Sequence, residues 1–178
     1  PSHRNSVWAN SGIVTELREE DVRKQGEGPL AGLAYQAAIE KRAWKEGGMT
    51  QAAPAQRLAD FVEGKASSSL PKGSYFPGLT PSSLHEWLPE EVSMRLREGL
   101  KEFGRKMRGF LTNEALVAAV ESRTSSPVRI TRDNEKLNAV NIAGLYPAGE
   151  GAGYAGGIVS SAVDGMLVAE KIVERLKG

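Results

Sequence analysis

The segment 149–157, called the glycine loop below, is the part of the sequence best suited to binding a ligand. Its glycines are Gly149, Gly151, Gly153, Gly156 and Gly157. Glycine has no Cβ, so the chain can turn sharply and its amides can approach a ligand closely. A helical pattern begins at Ile158, which would place these amides at the positive end of a helix dipole. The loop therefore suits an anion or an oxygen atom that gains negative charge.

Three of these glycines also have the GxGxxG spacing of a dinucleotide-binding turn: Gly151, Gly153 and Gly156. In that fold a second strand follows the helix, and an acidic residue about 20 residues further on binds the ribose. Here the helical pattern runs from Ile158 almost to Gly178, so no strand can follow. The GxGxxG spacing is therefore incidental, and the loop must reach a ligand that is bound mainly by another part of the fold.

Glu150 is the only charged residue between Asn138 and Asp164. Its carboxylate could accept hydrogen bonds from the hydroxyl groups of a sugar or polyol. The local pattern leaves a second explanation equally open, in which Glu150 is an exposed loop carboxylate and the glycines only pack a helix against a strand.

Two other polar regions have simpler explanations. The run ESRTSSPVR at 121–129 favours a polar edge strand with a turn at Pro127 over a binding site. The predicted helix 90–108 has a basic face, but Glu98 and Glu102 interrupt it. That pattern favours a solvated helix face over a nucleic-acid site.

Composition excludes several classes of protein. The chain has 178 residues, of which 40% are hydrophobic, enough for one domain or one and a part. Lys and Arg number 23 against 22 Asp and Glu, so neither nucleic acid nor an anionic membrane is the expected partner. The sequence lacks cysteine, and its two histidines, His3 and His85, do not have zinc-site spacing, so no metal site is predicted.

We expect a soluble intracellular protein, since no apolar run approaches the length of a membrane span. The sequence begins at Pro1 without a targeting pattern, and this predicts a cut end.

Periodicity predicts an α+β fold. Helices are predicted at 29–44, at 54–62, from Thr80 or Ser83 with a bend before Pro89, at 90–108 and from Ile158 onward. Ser83 and Glu86 would form a capping box at the start of the third. Extended chain is predicted at 11–17, at 116–130 and at 140–148, the last as a short buried strand or pair of strands leading into the glycine loop. The order is extended segments, a helical insertion at about 29–110, and a final strand, loop and helix.

Three motifs together resemble a known family: WANSGIV at 8–14, ESRTSSPVRI at 121–130 and GLYPAGEGAGYAGGIVSSAVDG at 144–165. In this order they are similar to the C-terminal half of the FAD-dependent dehydrogenases described as NAD(FAD)-utilising, and the similarity covers nearly the whole chain. Those proteins resemble the glutathione-reductase-type flavin fold. There an N-terminal βαβ unit holds the ADP half of FAD, and a late strand and helix complete the flavin site.

The resemblance implies a domain organisation and a set of site residues. Residues 1–139 would be a substrate or cap domain, and 140–178 the closing segment of an incomplete FAD-binding α/β domain. Within that segment Glu150 matches the late acidic residue that hydrogen-bonds the ribityl chain. The loop residues expected around the cofactor are Gly149, Gly151, Gly156, Gly157 and Ile158, of which the last three would face the pyrophosphate or a flavin carbonyl. The residues expected on the substrate side of the flavin are Arg123, Thr124, Ser125 and Ser126.

Two departures from the family pattern matter. The glycines of the N-terminal βαβ unit have no counterpart in this sequence, and Ala148 stands where relatives often have Cys. The leading hypothesis is part of an FAD-dependent oxidoreductase that transfers a hydride through flavin. Its partners would be FAD, a small-molecule substrate and the N-terminal part of the same protein, and no catalytic residue is named. The alternative is a non-enzymatic fragment or interaction module with a vestigial flavin site.

Overall fold

The computed structural model of the protein describes residues 5, 7–24 and 26–177. Helices and a small sheet alternate along them, which confirms the predicted α+β class. The elements are α1 (Glu19–Arg23), α2 (Ala31–Glu46), β1 (Ala53–Arg57), α3 (Leu58–Glu63), β2 (Leu79–Pro81), α4 (Leu84–Trp87), α5 (Glu90–Lys106), β3 (Leu116–Ala118) and α6 (Ile158–Lys177). None of the described helices has the length and apolar content needed to cross a lipid bilayer.

The described residues fall into two compact units. The first lies within 1–24 and 37–120, and the second within 25–36 and 121–178. Helix α2 is divided between the units: its first six residues belong to the second unit, and the others belong to the first. The predicted division into a cap domain, 1–139, and a closing segment, 140–178, concerns function and stays a prediction.

The first unit is built on a three-stranded mixed sheet with β1 in the centre. Strand β1 runs parallel to β2 and antiparallel to β3. Directly after β1 the chain turns into α3, which packs against α5 through a cluster of buried apolar side chains. These are Leu58, Phe61, Val62, Leu84, Leu88 and Leu100. Gly64, in the left-handed conformation, ends α3.

The predicted helix at 54–62 is wrong in its first half, where the structure has strand β1. Only Leu58–Glu63 is helical, and the preceding residues pair with strands on both sides. Proline is favoured in the first turn of a helix, so Pro54 made a helix start plausible. In the structure the Pro54 carbonyl instead accepts a hydrogen bond from the Ala119 amide at 3.0 Å. Pairing with distant strands therefore overrides the local signal.

Three stretches of predicted extended chain form less regular structure than expected. Residues 11–17 belong to no described strand, and in 116–130 only Leu116–Ala118 is a strand. The predicted strand at 140–148 is also wrong, and nearby only Arg132 and Ala139 form an isolated bridge. A strand exists through its pairing partners, and β-branched composition alone does not provide them. The Ser83 side chain makes no capping hydrogen bond, so the predicted capping box is also wrong.

The second unit consists mostly of loops and the long helix α6. Its buried apolar residues are small or few: Ala31, Tyr35, Ala139, Ala152 and Val168. The start of α2 belongs to this unit, and Gln36 there donates to the Ser122 carbonyl at 2.8 Å. Gly32 approaches Pro127 closely, since a Cβ added at Gly32 would lie 2.9 Å from the Pro127 oxygen. The 121–128 segment is thereby fixed against the first turns of α2.

Candidate functional site

The glycine loop makes a tight turn before α6. The Gly153 amide donates to the Glu150 carbonyl at 2.9 Å, and the Tyr154 amide to the Gly149 carbonyl at 3.0 Å. Gly149 and Gly153 have positive φ angles of 69° and 82°, which only glycine adopts without strain. The sequence turns here because it supplies glycine at both positions.

The segment 126–132 holds one side of this turn. The Ile130 amide donates to the Ala152 carbonyl at 3.1 Å, and Arg129 Nε to the Gly153 carbonyl at 2.9 Å. Ser126 Oγ lies 2.8 Å from the Val128 oxygen and 3.3 Å from the Gly151 oxygen. The two motifs noted separately in the sequence are therefore in contact within the second unit.

An ion pair between Arg132 and Asp164 holds the other side. Arg132 Nη1 and Nη2 donate to Asp164 Oδ2 and Oδ1 at 3.0 and 2.6 Å, and these side chains are only 8% and 12% exposed. Asp164 Oδ2 also accepts the Gly149 amide at 2.8 Å, and Arg132 Nη1 donates to the Pro147 carbonyl at 2.7 Å. Helix α6, which carries Asp164, is thus bonded to the entrance of the loop.

These contacts shift the pKa of both charged groups. The hydrogen bonds from Arg132 keep the pKa of Asp164 below its ordinary value, with the Gly149 amide adding to the effect. Hydrogen bonding to Asp164 raises the pKa of Arg132. Both groups stay charged at neutral pH, because each shift favours the ionised form.

Tyr154 secures the end of the turn. The Arg132 guanidinium lies 3.7 Å from the centre of the Tyr154 ring, and that of Arg129 lies 5.0 Å from it. The Tyr154 hydroxyl accepts the Arg132 amide at 3.0 Å and donates to the Ile130 carbonyl at 3.1 Å. A cation over an aromatic ring adds attraction to these hydrogen bonds.

The remaining side of the loop is open. A Cβ added at Gly151 or Gly156 would meet no described atom within 4 Å. At the start of α6 the Gly157 amide donates to Ser160 Oγ at 3.1 Å, and Ile158 is 92% exposed. The next amides of the first turn have no acceptor within the helix, as at any helix start.

Two polar side chains near this turn have no partner among the described residues. The half-buried Glu150 makes no side-chain hydrogen bond or ion pair with any residue that the structure describes. The Ser161 hydroxyl is buried and has no hydrogen-bond partner in that same part of the chain. It lies beside Gly149, where an added Cβ would be 3.6 Å from the Ser161 Cβ. A buried hydroxyl of this kind is costly unless a further group satisfies it.

The structure brings most of the predicted site residues together. Gly149, Glu150 and Gly151 lie in the turn, and Gly156, Gly157 and Ile158 form the entry to α6. The Gly149 amide, however, is already bonded to Asp164. In the second patch Ser126 contacts the loop, whereas Arg123, Thr124 and Ser125 are exposed.

Sequence reasoning missed Arg132, Tyr154 and Asp164. The available signal was Asp164, an acidic residue in the otherwise uncharged first two turns of the predicted last helix. No group of His, Cys, Asp or Glu that could hold a metal ion occurs among residues 5, 7–24 and 26–177. The basic face of α5 is neutralised in part by pairs such as Lys101 with Glu98 and Arg105 with Glu102.

The chain belongs to the family described as FAD-dependent protein, C-terminal domain-like, whose model matches residues 1–124. It is also similar to an uncharacterised protein of Clostridium beijerinckii, with 43% identity over 169 residues. That alignment covers 94% of this chain but 31% of the relative, so the chain spans about a third of the relative's length. The family match ends at residue 124, before the glycine loop. The alignment with the Clostridium protein covers 94% of this chain and therefore includes the loop.

The residues of the loop fit the cofactor that the family description names. Glu150 presents an unpartnered carboxylate for hydroxyl groups, and the buried Ser161 hydroxyl lacks a partner among the described residues. The positions of Gly151 and Gly156 leave space beside the backbone that a side chain would fill. This donor and acceptor set matches a polyhydroxylated, anionic molecule.

Proposed function

We propose that the chain contributes the closing segment of an FAD site in an FAD-dependent oxidoreductase. The observation that carries this proposal is Glu150, an unpartnered carboxylate among the described residues, held between two fixed ends of a turn. The open entry to α6 lies immediately after that turn. The carboxylate offers acceptors for hydroxyl groups, and the amides of the neighbouring helix start offer donors for an anion.

Each part of the site has a distinct role in this proposal. Glu150 accepts hydrogen bonds from the ribityl hydroxyl groups of the cofactor. The amides of Gly156 and Ile158 face its pyrophosphate or a flavin carbonyl, while Gly149, Gly151 and Gly157 allow the backbone to approach; the Gly157 amide is bonded to Ser160 Oγ. Gly149 acts through its conformation, because its own amide is bonded to Asp164.

The substrate side is assigned to the neighbouring segment. Ser126 contacts Gly151, so the 123–126 segment reaches the loop at its last residue. Arg123, Thr124 and Ser125 are exposed, as groups that meet a small-molecule substrate must be. Bound flavin would supply the hydride acceptor or donor, and the chain supplies orientation and polar contacts. Residues 1–139 would then form the substrate or cap domain.

The direct experiment uses the protein expressed from its complete reading frame. We expect it to purify with flavin absorption in the visible range, or to gain that absorption when FAD is added. After reduction with dithionite, a small-molecule or quinone electron acceptor should reoxidise the bound cofactor. A colourless protein that gains no flavin absorption at high FAD concentration would overturn the proposal.

A non-enzymatic interaction module is the second candidate, and one observation favours it. Helix α6 exposes large apolar side chains along its length: Ile158, Val159, Val163, Met166, Leu167, Val173 and Leu176. Such a surface is typical of a helix that is covered by another protein segment. The flavin experiment separates the two candidates, because an interaction module with a vestigial site binds its partner without binding FAD.

A further inference from the structure

The turn 149–154 within the glycine loop is attached at both ends through a single ion pair. At its entrance, Asp164 accepts the Gly149 amide while Arg132 donates to the Pro147 carbonyl. At its end, the Arg132 guanidinium covers the ring of Tyr154, and the Arg132 amide donates to the Tyr154 hydroxyl. Glu150 lies between these attachments and is itself bonded only through its backbone carbonyl, to Gly153, in the described part of the chain.

The backbone on both sides of Glu150 therefore has little freedom. Gly149 is held in the left-handed region by the bond from its amide to α6, and Gly153 is pressed against the 126–132 segment. The direction of the Glu150 Cα–Cβ bond follows from these two constraints. A side chain at position 164 that cannot accept from both Arg132 and the Gly149 amide would loosen Gly149, and the carboxylate of Glu150 would then sample several directions.

We propose that Arg132 and Asp164 are positioning residues that orient Glu150 toward the flavin cofactor. This assignment rests on the function proposed above and adds to it how the loop is fixed. It predicts that the ion pair affects FAD binding through Glu150. A general stabilising pair would instead change the stability of the unit without a specific dependence on Glu150.

The chemistry of the pair supports such a role. Both side chains are almost fully buried, and their two parallel hydrogen bonds fix the guanidinium plane relative to the carboxylate. Asparagine at position 164 would retain the shape but present an amide to Arg132, which has no acceptor to offer. Lysine at position 132 would keep the charge but lose the fork geometry that reaches both Asp164 and Pro147.

A double-mutant cycle tests the assignment in the protein expressed from its complete reading frame. The variants are Asp164→Asn, Glu150→Ala and the double variant, with the FAD dissociation constant and the melting temperature of the FAD-free protein measured for each. We expect Asp164→Asn to weaken FAD binding about tenfold or more. We expect the double variant to bind FAD as Glu150→Ala does, since Asp164 has nothing left to orient.

Other outcomes separate this assignment from the function on which it rests. Losses that multiply in the double variant, or wild-type affinity in Asp164→Asn, would overturn the assignment and leave the proposed function standing. Wild-type FAD affinity in Glu150→Ala would overturn both. Arg132→Lys provides the same comparison if Asp164→Asn does not fold. Glu174→Gln removes an exposed pair with Lys171 on the same helix and should change neither measurement.

Discussion

Gly153 lies against Val128 so closely that a Cβ added to it would be 2.6 Å from the Val128 carbonyl oxygen. This contact joins the glycine loop to the 126–132 segment. Backbone atoms cannot move aside as a flexible side chain can, and the φ angle of Gly153 is 82°. Glycine is therefore required at this position for two independent reasons.

We predict that Gly153→Ala destabilises the protein by about 1–3 kcal/mol, because the added methyl group is both overpacked and strained. Gly151→Ala is the matched control, since its Cβ would enter open space and its φ angle is not positive. We expect that control to change stability by less than about 0.5 kcal/mol. Thermal or urea unfolding followed by circular dichroism measures both, and equal stability of the two variants would contradict the described packing.

A second prediction concerns the buried carboxylate of Asp21 in the first unit. Asp21 accepts two hydrogen bonds from Arg95 at 2.5 and 3.0 Å and one from the Arg18 amide at 2.9 Å. The bonds from Arg95, followed by the Arg18 amide, lower the pKa of Asp21 to about 2 from an ordinary value of 3.8. A lowered pKa stabilises the folded state above the unfolded pKa, and this stability is lost as the pH falls toward 2.

The prediction is tested by comparing the wild-type protein with Asp21→Asn from pH 7 to pH 2. We expect the wild-type melting temperature to be higher at pH 7 and the difference to shrink between about pH 4 and pH 2. The control is Glu19→Gln, which removes an exposed pair with Arg23 and should leave the pH profile unchanged. A difference that stays constant down to pH 2 would show that the Asp21 charge does not stabilise the folded state.

A third prediction follows from the exposed apolar side chains of α6. Met166 and Leu176 are 65% and 81% exposed, and Val168 is the buried residue of the described helix. We expect these 178 residues, expressed alone, to self-associate or to unfold without a sharp transition. Light scattering after gel filtration at several concentrations measures the association. The double variant Met166→Lys, Leu176→Lys should be more monomeric, whereas a monodisperse wild-type monomer with sharp unfolding would contradict the prediction.

The long helices could be predicted from the sequence because their patterns are local. Periodicity predicts helices at 29–44, at 90–108 and from Ile158, and the structure has α2 at Ala31–Glu46, α5 at Glu90–Lys106 and α6 at Ile158–Lys177. After the glycine loop the described residues are helical to Lys177, as the periodicity from Ile158 predicts.

The strands could not be predicted in the same way, because pairing depends on distant residues. The central strand β1 contains Pro54 and resembles a helix start until Leu79–Pro81 and Leu116–Ala118 are placed beside it. The Arg132–Asp164 pair is non-local in the same sense, since its members are 32 positions apart in the sequence. The glycine loop could be identified from its composition, but the ion pair that holds it could be identified only from the three-dimensional structure.

The proposed role of Glu150 in FAD binding is tested by the FAD dissociation constant of Glu150→Ala in the protein expressed from its complete reading frame. A lost hydrogen bond to a charged group corresponds to about 10- to 100-fold weaker binding. Glu114→Ala, an exposed glutamate in the first unit, is the control and should bind FAD as the wild type does. For Glu150→Ala we predict a loss in this range with an unchanged melting temperature of the FAD-free protein. Equal FAD affinity in Glu150→Ala and the wild type would contradict it.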